Sequence, residues 1–190
     1  GYGALRYATS TDYNTAVGYQ TMSLLTSGNE NTSLGNVALH DVTTGEDNTG
    51  VGALALGNVA DGGQNTAVGR AALGNMVSNW YGTAVGAEAL ANATGAGNTA
   101  VGSNAGDTIT SGSNNTIIGK DADVLTNTFT NATAIGYQAS VGASNTMQFG
   151  NGSITDVSFG TPACTGAACG AGVTTQGTGA GNSVSLHATR

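Results

Sequence analysis

A short motif ending in glycine returns along this chain at a nearly constant interval. It reads NTAVG at 14–18 and recurs as NTSLG, NTGVG, NTAVG, GTAVG, NTAVG, NTIIG and ATAIG. Most of the closing glycines are 17 residues apart, with one interval of 16 and a last interval of 14 ending at Gly150. A fixed period of this length predicts one supersecondary unit per repeat, stacked on the next. We therefore predict an all-β parallel solenoid of about nine coils over residues 1–154.

Glycine and asparagine hold fixed positions in the repeat. Glycine at the end of a motif allows a turn with positive φ that other residues resist. The glycines concerned are Gly18, Gly35, Gly52, Gly69, Gly86, Gly102, Gly119 and Gly136. Stacked asparagine amides can hydrogen-bond to one another and to the turn backbone. The asparagines predicted to form this ladder are Asn14, Asn31, Asn48, Asn65, Asn98 and Asn115.

Two apolar columns run through the repeat. We predict that the residue before each closing glycine forms the solenoid core; this first column contains Val17, Leu34, Val51, Val68, Val85, Val101, Ile118, Ile135 and Phe149. Four residues after each glycine stands a second column of Leu5, Met22, Leu39, Leu56, Leu73 and Leu90. Two short strands per coil would account for both columns. Small residues such as Ala67 and Ala84 flank the first column, and the alternation of a strand then predicts that they form a smooth outer wall.

A wall of this kind favours association of the chain with copies of itself. A strand with both faces unsuited to water is normally buried on both sides. A solenoid this thin has no second layer of its own, so we predict a homo-oligomer. Terminal coils are open edges that invite pairing, which leaves a self-assembling extracellular filament as an alternative.

The units NTAVGYQT and AIGYQAS, with SNTMQFGN closing the array, resemble the YadA-like head repeats of trimeric autotransporter adhesins. They are equally similar to the NTAVGYQAL-type repeats of phage tail fibres. The resemblance covers about residues 1–154 and implies a left-handed β-roll with three chains around one axis. It also implies an extracellular fibre segment, on a cell surface or a virion, that attaches to a host glycan or protein. Most coils here are longer than the compact head repeat, which only the final 14-residue interval matches.

Composition excludes several other partners. The only basic residues are Arg6, Arg70, Lys120 and Arg190, so the chain cannot neutralise a run of phosphates and no nucleic acid is expected. No apolar run approaches the ~20 residues of a membrane span, so no direct insertion into a membrane is expected. The threonine column beside the asparagines suggests an ice-binding solenoid as a further alternative, although a flat ice-binding face would favour two threonines per coil.

We find no pattern that predicts catalysis, a metal site or a cofactor. No serine or cysteine stands in a G-x-S-x-G setting, and we interpret His40 as an exposed turn residue. Four acids precede successive asparagine–threonine pairs: Glu30, Glu46, Asp47 and Asp61. Paired carboxylates could serve a glycosidase, and oxygen ligands could bind calcium. We interpret these acids as solvated turn residues, and predict that the chain is not an enzyme.

Trp80 and Tyr81 interrupt the repeat in the segment MVSNWYGTAVG. An aromatic pair on a wide turn can stack on a sugar ring or a receptor. It can equally clamp a neighbouring chain. Both interpretations make the pair a candidate contact site.

The period stops after residue 154, and residues 155–190 are predicted to be a Gly/Ala/Thr-rich extension or cap. Cys164 and Cys169 are the only cysteines. In an extracellular chain we predict that they form a disulfide that closes a small loop. A metal site that includes His187, or two free thiols, are the alternatives.

Overall fold

The computed structural model describes residues 1–75, 78 and 80–154. The chain divides into two units, Gly1–Ile154 and Thr155–Arg190, and the described residues lie in the first. This first unit is a β-solenoid whose parallel strands stack in about eight turns. The predicted all-β parallel solenoid is confirmed. In the described part of the chain, no helix has the length and apolar character that crossing a membrane requires.

One sheet of nine strands runs along the unit in the order β1-β2-β3-β4-β5-β6-β7-β9-β11, and β8 pairs with β10 in a second sheet. The strands are β1 (Thr15–Val17), β2 (Thr32–Leu34), β3 (Thr49–Val51), β4 (Thr66–Val68), β5 (Thr83–Val85), β6 (Thr99–Val101), β7 (Thr116–Ile118), β8 (Asp123–Val124), β9 (Thr133–Ile135), β10 (Ser140–Val141) and β11 (Met147–Phe149).

The strands keep one register along the nine-stranded sheet. Thr49 pairs with Thr66, one full repeat later. The 16-residue interval still places Thr99 opposite Thr83. The 14-residue interval places Met147 opposite Thr133. Differences in repeat length are therefore absorbed in the turns, and the strand positions stay aligned.

The inward and outward positions of the strands are the reverse of those predicted. In β4 the middle residue, Ala67, is fully buried, whereas Val68 is exposed. The predicted core column therefore lies on the outside, and the predicted outer wall of small residues lies on the inside. Leucines from the opposite side of the coil fill the narrow interior: a Cβ at Gly50 would lie 2.4 Å from Leu39 Cδ1. Only small side chains fit on the inner face of most strands.

The second apolar column, rather than the predicted first one, forms the core. Its members from the second coil onward are fully buried: Met22, Leu39, Leu56, Leu73 and Leu90. A further buried column, absent from the sequence prediction, contains Leu25, Val42, Val59, Ala93 and Ile109. The core is thus built mainly from turn residues of each coil.

The prediction of two strands per coil is wrong for most coils. Among residues 1–75, 78 and 80–154, a second strand occurs only where β8 pairs with β10. Elsewhere the core leucines stand in turns at positive φ, for example 47° at Leu39 and 52° at Leu56. This conformation costs a non-glycine residue about 1–3 kcal/mol. The Leu39 backbone N donates to the Ala55 carbonyl oxygen of the next coil at 2.9 Å, so burial and coil-to-coil hydrogen bonding offset the cost.

Candidate interaction surfaces

The asparagine ladder follows the inside of the corner before each strand. Asn31, Asn48, Asn65, Asn98 and Asn115 are buried, and Asn14 on the first coil is half-buried. In the middle of the ladder, the Asn48 backbone N donates to Asn31 Oδ1 at 3.0 Å, and Asn48 Oδ1 accepts from the Asn65 backbone N at 3.1 Å. Asn48 Nδ2 donates to the Gly62 carbonyl oxygen at 2.8 Å. Each amide thus ties its coil to both neighbours.

Gly82 stands in the asparagine position and interrupts the side-chain ladder between Asn65 and Asn98. Asn65 Oδ1 still accepts from the Gly82 backbone N at 2.8 Å. The ladder resumes at Asn98, whose Oδ1 accepts from the Asn115 backbone N at 2.9 Å. These amides form hydrogen bonds with buried backbone groups, so their role is structural.

The glycine column turns the chain away from the sheet. Its eight predicted members have φ between 117° and 151°, a region that side chains disfavour. A Cβ at Gly52 would lie 2.6 Å from the carbonyl oxygen of Gly69, which occupies the same position in the next coil. Backbones approach too closely here for any side chain, so this column is also structural.

The outer side of the nine-stranded sheet carries two columns, which we call the sheet face. One column is Thr15, Thr32, Thr49, Thr66, Thr83, Thr99, Thr116 and Thr133; the other is Val17, Leu34, Val51, Val68, Val85, Val101, Ile118, Ile135 and Phe149. The exposed side chains of the second column range from 38% exposed at Val68 to 53% exposed at Val17. The face contains no ionisable side chain. Strand spacings of about 4.8 Å and rises of about 3.3 Å per residue make it roughly 40 Å by 10 Å.

A second surface runs along the corner just before the asparagine ladder, and we call it the exposed corner. Its residues have φ between 54° and 72°, and all except the half-buried glycine are exposed: Tyr13, Glu30, Asp47, Gln64, Tyr81, Gly97, Asn114, Asn131 and Asn145. From Glu30 onward, each backbone N donates to a carbonyl of the preceding coil, as Gln64 N does to Glu46 O at 3.0 Å. The corner therefore presents one residue per coil along the solenoid.

Trp80 and Tyr81 meet at this exposed corner. Their ring centroids are 6.3 Å apart with an angle of 50° between the planes. Trp80 is half-buried and forms a parallel bridge with Gly63, where an added Cβ would lie 2.6 Å from Trp80 Cζ3. Tyr81 is 63% exposed. The indole is thus packed on the preceding coil, while the phenol ring faces solvent.

Three of the four predicted turn acids also lie together at this corner. A cavity of about 190 Å³ is lined by Asn29, Glu30, Glu46 and Asp47. A side-chain hydrogen bond with Asp47, together with the negative charge of Asp47, raises the pKa of Glu30. Asp61 is exposed and does not line this cavity. The sequence did not distinguish it from the three that converge.

A second carboxylate pair, Asp107 and Asp123, joins two coils farther along. Asp123 Oδ2 accepts from the Thr108 backbone N at 3.0 Å, and Oδ1 accepts from the Val124 backbone N at 2.8 Å. Burial and a side-chain hydrogen bond with Asp107 outweigh these donors and raise the pKa of Asp123 to about 6. This titrating group was not found from the sequence, where Asp123 stands four residues after Gly119, at the position that leucine or methionine holds in earlier coils.

The remaining predicted positions do not converge on a reactive site. His40 is half-buried, and its Nδ1 lies 2.5 Å from Asp41 Oδ1. Cys164, Cys169 and His187 lie outside the described residues, as does the predicted extension 155–190. Among residues 1–75, 78 and 80–154, no three or more His, Cys, Asp or Glu side chains are placed to hold a metal ion.

Comparisons with protein-family models, with curated proteins and with solved structures find no match to this chain.

Proposed function

We propose that this chain is a structural and adhesive segment of an extracellular fibre, formed by three copies of a left-handed roll around one axis. Its role is to project or present an attachment surface, on a bacterial surface adhesin or a phage tail fibre, without catalysis. The resemblance of the repeat supplies the threefold arrangement and the extracellular setting. The observation that carries the association is the sheet face.

The sheet face favours burial against another copy of the chain. It presents a continuous aliphatic column beside threonines, with no charge along nine strands. Burial of apolar surface stabilises association by about 25 cal/mol per Å². A back-to-back dimer through this face alone would bury roughly 800 Å² in total, below the usual 1,200–2,000 Å² of specific interfaces. The threefold arrangement that the resemblance implies gives each chain two neighbours instead of one, which supports three copies over two.

The native mass in solution tests this proposal. Wild-type protein is expected to sediment with three times the mass of one chain. Replacing Val68 and Val85 by lysine places charges in the middle of the sheet face, and we expect monomers. Ala87→Lys adds a charge at an exposed position outside the face and is the matched control. A monomeric wild type, or a trimer that tolerates both face lysines, would overturn the proposal.

The same face supports an ice-binding function as a second candidate. The alternation of each strand places threonine and an aliphatic residue side by side on a flat, in-register surface. Two outward columns per coil are present, rather than the single threonine ladder visible in the sequence. Thermal hysteresis that Thr66→Tyr abolishes would favour this function. Hysteresis absent from a wild type that sediments as a monomer, with its sheet face free, would exclude it.

A further inference from the structure

We propose that Trp80, Tyr81 and the neighbouring side chains of the exposed corner form a binding site for a neutral hexopyranose oligosaccharide that lies along the solenoid. The inference rests on the attachment role proposed above and names the chemistry of the surface that is bound. It concerns a different surface from the sheet face, so the two can fail separately.

The aromatic pair provides a fixed platform. Trp80 lies over the Gly63 backbone, and its carbonyl oxygen accepts from the Gly97 backbone N at 3.1 Å. Both neighbouring coils therefore hold its backbone in place. Tyr81 is displayed beside it with its ring tilted to the indole. A fixed indole with an exposed phenol ring beside it can receive the C–H face of a pyranose ring, because aromatic faces carry negative charge density.

Folding alone does not explain Tyr81. Its φ is 65°, a conformation that is unusual for a bulky residue and that Asn or Gly adopts at lower cost. Other coils place Gly97, Asn114 or Asn131 at the same corner position. A tyrosine here costs stability and leaves apolar surface in water, as Tyr13 does on the first coil. Only Tyr81 has a tryptophan beside it, so a role outside the fold accounts for this aromatic pair better.

The side chains along the corner supply the polar half of a sugar site. Gln64 and Asp47 follow Tyr81 at successive coils, about 4.8 Å apart along the axis, and the cavity lined by Glu30 and Glu46 continues the row. Amides and carboxylates accept hydrogen bonds from sugar hydroxyls, and amides also donate them. A row of carboxylates repels anionic sugars, which selects for neutral chains.

The same surroundings disfavour a protein partner. Hot spots of protein interfaces lie in the fully desolvated centre of an apolar patch from which charged residues are depleted. Trp80 and Tyr81 stand instead at a corner where the two preceding coils expose Gln64 and Asp47. A carbohydrate uses both kinds of side chain in one small site.

Trp80 is the single tryptophan of the chain, so its fluorescence reports directly on the site. Cellohexaose, maltohexaose and chitohexaose are the neutral probes, and an oligogalacturonate is the anionic one. We expect at least one neutral hexamer to shift or quench the emission in a saturable way, and the anionic probe to bind at least about tenfold more weakly.

Two tyrosine variants provide the matched comparison. Tyr81→Ala should weaken binding by about tenfold or more, the effect of losing one stacking surface. Tyr137→Ala should leave it unchanged, because Tyr137 is 55% exposed but stands directly after Gly136, outside the exposed corner. Circular dichroism verifies that both variants keep the fold.

Three results would overturn the inference. They are no emission change with any neutral hexamer at millimolar concentration, equal affinity in Tyr81→Ala, or an emission shift that depends on protein concentration alone. The last result would assign the pair to a contact between chains. Sedimentation of the same samples reports the oligomeric state independently, so loss of sugar binding in an intact trimer refutes this site without refuting the fibre role.

Discussion

Replacing Asn48 by alanine removes one rung from the middle of the asparagine ladder. The variant loses the acceptor of the Asn65 backbone N and the donor to the Gly62 carbonyl oxygen, at 3.1 and 2.8 Å in the wild type. Asn48 is fully buried, so water does not replace these partners. A buried polar group left without a partner costs about 1–3 kcal/mol. We therefore expect Asn48→Ala to destabilise the solenoid by about 2–5 kcal/mol.

Asn58→Ala is the matched control for this variant. Asn58 Nδ2 donates to Asn75 Oδ1 at 3.1 Å, again one repeat apart, but both side chains are exposed. Its loss should cost less than about 0.5 kcal/mol.

Urea denaturation at one fixed protein concentration measures the difference, since association also shifts apparent stability. Repeat arrays depart from two-state unfolding, so midpoints are compared together with hydrogen exchange at the Asn65 amide. We expect this amide to exchange much faster in Asn48→Ala only. A midpoint shift no larger than that of Asn58→Ala, or unchanged exchange at Asn65, would refute the claim that the buried ladder holds the coils together.

Three further outcomes test other parts of the fold. Gly52→Ala should cost more than about 2 kcal/mol, because its φ is 131° and a Cβ would lie 2.6 Å from a backbone oxygen. Gly142→Ala should be nearly neutral, because a Cβ there would meet nothing closer than 3.9 Å. Equal melting temperatures of the two variants would contradict this expectation. Thr21→Ala should stabilise the solenoid by about 1 kcal/mol in thermal melts, because it removes a buried hydroxyl for which the described residues provide no hydrogen-bond partner. A melting temperature below that of the wild type would show that this hydroxyl has a partner. The pKa of Asp123 is raised from 3.8 to about 6, so its contribution to stability is fully present below pH 3.8 and is lost as the pH rises through 6. After discounting for the partial exposure of Asp123, we expect the stability to fall by about 1–2 kcal/mol over this range. Asp123→Asn should flatten that part of the pH profile measured by urea midpoints.

The period and register of the solenoid follow from the sequence, whereas the inside and outside of its strands were assigned wrongly. The error could have been avoided from the residues alone. Thr66 and Val68 are two positions apart, so in a strand they lie on the same face. An exposed threonine column therefore requires an exposed valine column. Hydrophobicity favoured valine for the core, but the volume of the leucines opposite decided in favour of Ala67.

Other features of the structure could not be predicted from the sequence repeat. Leucine is a poor choice for positive φ, so nothing in the column of Leu39 and Leu56 indicated a turn rather than a strand. The core position of these leucines depends on hydrogen bonds to the next coil, which exist only after stacking. The packing of Trp80 on Gly63 likewise depends on which turn positions of adjacent coils coincide. The sequence indicated an aromatic pair, but not that one ring is held and the other displayed.

Some positions of the repeat keep the same type of residue from coil to coil, whereas others vary. The constant positions build the solenoid, and the variable positions are available for binding. Buried ladder positions accept few residue types, because each amide or glycine must fit the coil before and after it. The exposed corner has equally regular backbone geometry, with φ between 54° and 72° throughout, yet it carries tyrosine, acids, amides and glycine in successive coils. Since backbone geometry is constant there, folding does not dictate these side chains. A chain that repeats its scaffold and varies one edge presents a linear series of different contacts, and binding activity is therefore best sought along the exposed corner.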